Sequence, residues 1–303
     1  MYNLIFIFRR IYLKRKKLLE FRADFLLLTV AIAWGVTFLM VQEAIETVPV
    51  YSFLFYRFLF ATILMAIIAY RFFNKVNKQT IFYGFILGTF LFSAFATQTF
   101  GLAYTKSSIV AFITGLNVIL VPFFAYILFK DHVRKMVFLG SIIAVIGLYL
   151  LTMSGKLTIG FGEFLTLICS ALFALQILFT DKYSKKVNVF MLVLFQFLTV
   201  TIYSLLFSLS LDEVTFNVDM DEAFLKAVIV TSVFATVYAF LIQTYMQQFT
   251  TPTKTAIIFS MEPVSAGIYG YFVGNEILTS IQILGAILII FAVLLSEIKL
   301  KKE

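Results

Sequence analysis

Eight stretches of this chain run for 17 to 27 residues without one Asp, Glu, Lys or Arg: 25–42, 79–105, 107–129, 136–155, 164–180, 187–211, 227–253 and 277–296. Two more, 47–70 and 255–275, are interrupted by a single charge each, Arg57 and Glu262. A helix needs roughly 17 to 25 mostly apolar residues to cross about 30 Å of hydrocarbon. Ten crossings are therefore expected, and no aqueous core hides so much apolar surface: 62% of residues are hydrophobic and 13% charged. A soluble domain carries about 25% charged residues. Lipid admits only helices and closed barrels. Barrel strands alternate apolar and polar residues over about ten positions, which these uniform runs do not.

The net charge of +8 invites a nucleic-acid reading, and the placement of the basic residues answers it. With the N-terminus inside and sides alternating, the inside connections hold seven Lys and Arg in 1–24, three each in 71–78, 130–135, 182–186 and 299–303, and Lys254. The outside connections hold Lys106, Lys156 and Lys226, and Arg57 lies within a span. The bias is the positive-inside signature and puts both termini in the cytoplasm. Basicity here signals topology, with no nucleic-acid partner expected. The opening MYNLIFIFRRIYLKRKK places its apolar residues before its positive ones, the reverse of a cleavable signal peptide. Residues 1–23 are thus a basic cytoplasmic arm, either lying along the anionic inner leaflet or forming a loose tail. Residues 299–303 form a cytoplasmic tail.

The single Cys, Cys169, sits within a span, and the single His, His132, in a charged loop. Metal sites and nucleophile–base pairs need His, Cys or carboxylates converging at one place. No enzyme, metal or cofactor is expected.

The chain also repeats itself. AFATQTFGLAYT at 94–105 matches AFLIQTYMQQFT at 239–250, with five identical positions of twelve and two more exchanging Phe and Tyr. The same offset of 145 carries Ala111 onto Ala256, Asn117 onto Glu262, Gly140 onto Gly285 and Leu150 onto Leu295. Near the start an offset of 139 carries Asp24 onto Glu163, Trp34 onto Phe173 and Arg57 onto Gln196. The repeats are 24–155 and 156–298. Five spans per repeat is an odd number, so the second enters the membrane from the side opposite the first. Inverted repeats are a recurring plan of secondary transporters, with substrate held near the midplane between the halves. The expected fold is an all-α integral membrane protein of ten transmembrane helices in two inverted five-helix repeats.

The segments AIAWGVTFLM, FLFYRFLFA, FSMEPVSAGIYGYFVGNE and QILGAILIIFAVLL resemble, in order and spacing, the EamA-type permeases of the drug/metabolite transporter superfamily. The resemblance covers about residues 24–298. It implies ten helices, a central cavity, residence in the plasma (inner) membrane, and transport of amino acids or other small metabolites without ATP hydrolysis.

An ionisable group within a span costs about 2.5–3.5 kcal/mol on insertion scales and so faces a cavity or a partner. Arg57 and Glu262 are the two here. A guanidinium can take a substrate carboxylate through paired hydrogen bonds, and a mid-span carboxylate can hold an ammonium or a coupling proton. The alternative is that the two satisfy each other or backbone groups. Repeat-related polar residues, Gln98 with Gln243 and Asn117 with Glu262, together with Gln176 and Gln196, either line a neutral polar cavity or serve as interhelical hydrogen-bonding groups. Trp34, mid-span beside Gly35, is a better candidate than Tyr104 to stack on a substrate. Gly35, Gly101, Gly115, Gly147, Gly267 and Gly270 are read as sites of close helix approach.

The expected function is a secondary-active or facilitative permease for amino acids or related metabolites, with the lipid bilayer, a small-molecule substrate and protons as its partners. A sugar-phosphate or nucleotide-sugar carrier would want several cavity cations, and only Arg57 is offered. A membrane sensor that binds without transporting remains open, because binding and transport use the same pocket. A channel is disfavoured by inverted halves without a ring of charges.

Overall fold

The computed structural model describes residues 2–105, 107–152, 160–212, 216, 218, 221–273 and 279–296; side chains 1–16 lie outside the description. Every regular element among these residues is helical. Seven helical segments are long and apolar enough to span a membrane: Lys17–Thr47, Val50–Lys75, Lys78–Tyr104, Ile109–Phe129, Phe161–Ser184, Val189–Leu211 and Phe224–Phe249. Two shorter apolar helices, Lys135–Leu150 and Ser280–Leu295, join them. The segment expected as a ninth span is divided into two helices. Large apolar side chains such as Phe25, Phe60, Ile67 and Phe272 point outward, as a lipid-facing surface requires.

The first helix, α1 (Tyr2–Thr47), is unbroken for 46 residues, so the stretch read as the arm 1–23 and the first span share one helix. No Pro or Gly occurs before Gly35, so nothing ends the helix between arm and span. At 1.5 Å per residue it measures about 69 Å, more than twice the hydrocarbon thickness. Lys106, Lys156 and the expected tail 299–303 lie outside the described residues.

α2 (Val50–Ala69) leads through a 3-10 turn, Tyr70–Lys75, to α3 (Lys78–Tyr104), capped by Asn77 accepting from the Thr80 amide. α4 (Ser107–Gly115) and α5 (Asn117–Phe129) are two halves of one broken helix. α5 ends at Lys130, whose φ of 54° is the left-handed turn that closes it. α6 is Lys135–Thr152, α7 Phe161–Ser184 and α8 Val189–Leu211. α9 (Glu222–Val230) passes through a π-helical stretch, Thr231–Tyr238, into α10 (Ala239–Met246). α11 (Pro252–Phe259) and α12 (Met261–Val273) are again two halves, followed by α13 (Ser280–Ser296).

The two breaks correspond. Leu116 has φ −62° and ψ −10°, Ser260 φ −63° and ψ −7°; under the 145 offset Ser260 falls on Gly115, so the two breaks lie one residue apart. Asn117 and Glu262, which match under that offset, each lie in the first turn of the second half-helix. Prolines follow at Pro122 and Pro263, where the missing amide frees a carbonyl one turn earlier. Packing follows the same correspondence. α2 lies on α8 and α6 on α13, while α3 packs on α7 and α1 on the π-helical stretch and α10. With lipid on the outside, burial of apolar surface does not drive this association; close packing and interhelical hydrogen bonds do. Gly35 shows the closeness: a Cβ there would collide with Ser265 Oγ and the Glu262 carbonyl. α1 and α12 can therefore touch only because position 35 has no side chain.

Candidate functional site

A cavity of about 600 Å³ of atom-free space, counting its mouth, opens where these helices meet. α1 contributes Trp34, Thr37, Phe38 and Val41; α3 contributes Phe95, Gln98, Thr99 and Leu102. Arg57 enters from α2, Thr114 and Asn117 from the first break, Phe259 and Glu262 from the second. Phe173, Gln176 and Ile177 of α7 and Gln243 of α10 complete the wall. Six pairs of these positions correspond under the repeat: Trp34 with Phe173, Thr37 with Gln176, Phe38 with Ile177, Gln98 with Gln243, Thr114 with Phe259, and Asn117 with Glu262.

Seven of the eight residues expected from sequence are brought together. Gln196 is not. It is fully buried on α8, away from the cavity, and neither end of its amide has a hydrogen-bond partner. The repeat predicts its depth along the helix but not its facing. At this level the backbone of α8 lies tight against α3, where a Cβ on Gly88 would sit 2.6 Å from the Gln196 carbonyl. Tyr104, the weaker aromatic candidate, is exposed and meets the Phe161 ring edge-on.

Arg57 is 3% exposed. Its Nε donates to Thr236 Oγ1 at 3.0 Å, and its guanidinium carbon lies 4.5 Å from the Phe95 ring centroid. Among the described residues no carboxylate forms an ion pair with it, so Arg57 and Glu262 share the cavity without neutralising each other by contact. Glu262, 9% exposed, sits in the first turn of α12, where the positive end of the half-helix favours an anion. Asn117 holds the equivalent place on α5, and its Oδ1 has no hydrogen-bond partner. Trp34 is fixed by its indole N–H, which donates to the Ala235 carbonyl at 2.8 Å, and by the rings of Phe240 and Phe259 at 5.4 and 4.8 Å.

The amides divide the cavity's two ends. Gln98 Nε2 donates to Thr114 Oγ1 at 3.3 Å. Its counterpart Gln243 donates to Gln176 Oε1 at 3.0 Å and Gln247 Oε1 at 3.2 Å, and Gln247 donates on to the Ile177 carbonyl. The lining thus reaches Val41 and Leu102 on one side and stops at these bonds on the other. Beyond them lies Lys254, expected in a loop yet 1% exposed, with its Nζ 2.7 Å from Asp24 Oδ2 and 3.5 Å from Glu20 Oε1. Thr250 Oγ1 donates to Asp24 Oδ1 at 3.3 Å, and the repeat-related Thr105 Oγ1 donates to Glu163 Oε1 at 2.6 Å at the other end. Position 109, the counterpart of Lys254, is Ile. Among the described residues no three His, Cys, Asp or Glu side chains come together as a metal site.

The model of the EamA-like transporter family matches this chain twice, over residues 21–153 and 160–298. The chain belongs to that family. A protein of Archaeoglobus fulgidus described as an uncharacterized transporter is 31% identical over 278 residues, 91% of this chain and 86% of the relative. A solved crystal structure superposes with a TM-score of 0.77 at 13% identity, over 91% of this chain and 96% of the other, a likeness of fold. Family and apolar helices together make this a multi-pass membrane transporter for small molecules, within the drug/metabolite transporter superfamily. Membership points to transport rather than to catalysis.

Sequence reasoning missed Thr37, Thr114 and the role of Thr236. Thr37 was within reach, because the 139 offset pairs it with Gln176. Thr236 had no such signal: it comes near Arg57 only through the packing of the π-helical stretch on α2.

Proposed function

We propose that this member of the family is a secondary-active or facilitative carrier of amino acids or related small metabolites, working by alternating access. In this reading ten crossings form two inverted repeats, 24–155 and 156–298, with the arm 1–23, the tail 299–303 and both termini on the cytoplasmic side of the inner membrane. The observation that carries it is the cavity wall of six repeat-related pairs. A site on a pseudo-two-fold axis in the membrane plane is presented equally to both sides when the halves exchange conformations. The matched breaks at Leu116 and Ser260, and the packing of α2 on α8 and α6 on α13, support the same symmetry.

The wall is mostly aromatic and amide, with one guanidinium and one carboxylate. That balance suits a solute carrying one charge of each sign. A sugar phosphate or nucleotide sugar brings two or more negative charges and would meet a single cation beside Glu262. Glu262, in the first turn of α12, is the group suited to an ammonium or a coupling proton.

The test is counterflow of labelled amino acids in liposomes holding the purified protein. Saturable uptake above protein-free liposomes is expected. Binding without uptake would replace the carrier by a sensor, and uptake of sugar phosphates alone would replace the substrate class.

A further inference from the structure

One structural feature of the second repeat has no counterpart in the first. The π-helical stretch Thr231–Tyr238 corresponds under the 145 offset to residues 86–93, which lie within the regular helix α3. Helices of this wide kind are rare and concentrate at functional sites. Here the stretch touches both cavity groups that need holding in place. Thr236 Oγ1 donates five residues back to the Thr231 carbonyl at 2.9 Å, which orients its lone pairs toward Arg57 Nε at 3.0 Å. Ala235 offers its carbonyl to the Trp34 indole, and Ser232 Oγ donates to the Arg57 carbonyl at 2.8 Å.

The difference between Arg57 and its counterpart Gln196 has the same origin. Against α8, the first repeat sets Gly84 and Gly88, and the two helices approach closely along Phe195, Gln196 and Thr199. The second repeat has Ile229 and Val233 at those positions, and there α2 packs on the π-helical stretch, whose Ser232 and Thr236 bond Arg57. With Nε held by Thr236 and one face on Phe95, the edge bearing the two terminal nitrogens has no hydrogen-bond partner among the described residues, although the side chain is 97% buried by its 3% exposure. A carboxylate is the ligand whose two oxygens match that edge.

Resting on the carrier reading, we infer that the π-helical stretch is a positioning element, and that Thr236 sets Arg57 as the subsite for the carboxylate of the transported solute. Thr236 acts through Arg57 and does not touch the solute.

Trp34 is the sole tryptophan of the chain and lines the cavity, so its emission reports occupancy without a label. The purified protein is titrated with L-leucine, L-leucinamide and 4-methylpentanoate, which share one side chain and carry both charges, the ammonium alone and the carboxylate alone. Saturable responses are expected for L-leucine and 4-methylpentanoate, with L-leucinamide needing roughly tenfold more or failing to respond, as loss of a charge-assisted pair implies. Thr236→Val is expected to raise half-saturation for both carboxylates roughly tenfold and leave L-leucinamide unmoved. Thr236→Ser, which keeps the hydroxyl, restores wild-type titration to within about twofold. If Thr236→Val is not recovered folded, Thr236→Ala, which also lacks the hydroxyl that Arg57 Nε bonds, is titrated in its place and must show the same rise.

Equal response to L-leucinamide and L-leucine, carboxylate binding unchanged in either variant, or no saturable response to either carboxylate overturns the inference. Each is a binding result. The carrier reading stands or falls separately, on flux in liposomes.

Discussion

Replacing Lys254 by Met takes the cation out of a cluster that joins α11 to α1. Its Nζ lies 2.7 Å from Asp24 and 3.5 Å from Glu20, with side-chain exposures of 1%, 14% and 18%. At an effective dielectric of about 20 these separations correspond to gross attractions of about 6 and about 5 kcal/mol. Desolvating the ions offsets most of that, so the informative quantity is the cost of taking the cation away from the two carboxylates, at most about 3–5 kcal/mol in a dry interior. Partial exposure of the carboxylates lowers the expectation to about 2–4 kcal/mol. For a chain of this size that is a fall of about 4–8 °C in apparent melting temperature.

The assay uses the protein's own reporter. Cys169 is the only cysteine and is fully buried, so a fluorogenic maleimide lights up as the bundle opens, at one fixed heating rate because such unfolding is commonly irreversible. The triple variant Lys254→Met, Asp24→Asn, Glu20→Gln removes the two negative charges along with the cation and should return to near wild type. A single variant melting within about 1 °C of wild type, or a triple variant as unstable as the single, refutes the reasoning.

Gly35→Val inserts a side chain where Ser265 and the Glu262 carbonyl already stand, and should lower stability by about 1–3 kcal/mol or more in the same melting assay; an unchanged melt would mean that α1 and α12 do not touch. Gln196→Leu removes a buried amide with no partner and should raise stability by about 1–2 kcal/mol with liposome flux intact; lost flux would put Gln196 on the solute's route after all. Glu262→Gln should abolish uptake driven by a proton gradient while exchange at equal pH survives, and gradient-driven uptake at the wild-type rate would remove the coupling role.

Much of the site was legible because the repeat converts a faint symmetry of sequence into a matching of depths. Trp34 could be placed mid-span from a charge-free length alone, and Gln98 with Gln243 and Asn117 with Glu262 could be paired by a fixed offset. Which way each residue faces was not legible. Arg57 and Gln196 correspond in sequence, yet one lines the cavity and the other is buried away from it. Lys254 shows the same blindness: a lone lysine between apolar stretches reads as a loop charge, and only the approach of α1 shows it buried against two carboxylates.

The sequence by itself determined that this chain is a helical membrane protein with two related halves. Those properties follow from transfer free energy, which is summed along the chain, and from periodic identity, which is local. Only the tertiary structure decided the breaks at Leu116 and Ser260, the π-helical stretch, and the facing of each polar group. Helix rotation is fixed where remote segments meet, by missing side chains such as those of Gly35 and Gly88 and by bonds such as Arg57 to Thr236, 179 residues apart.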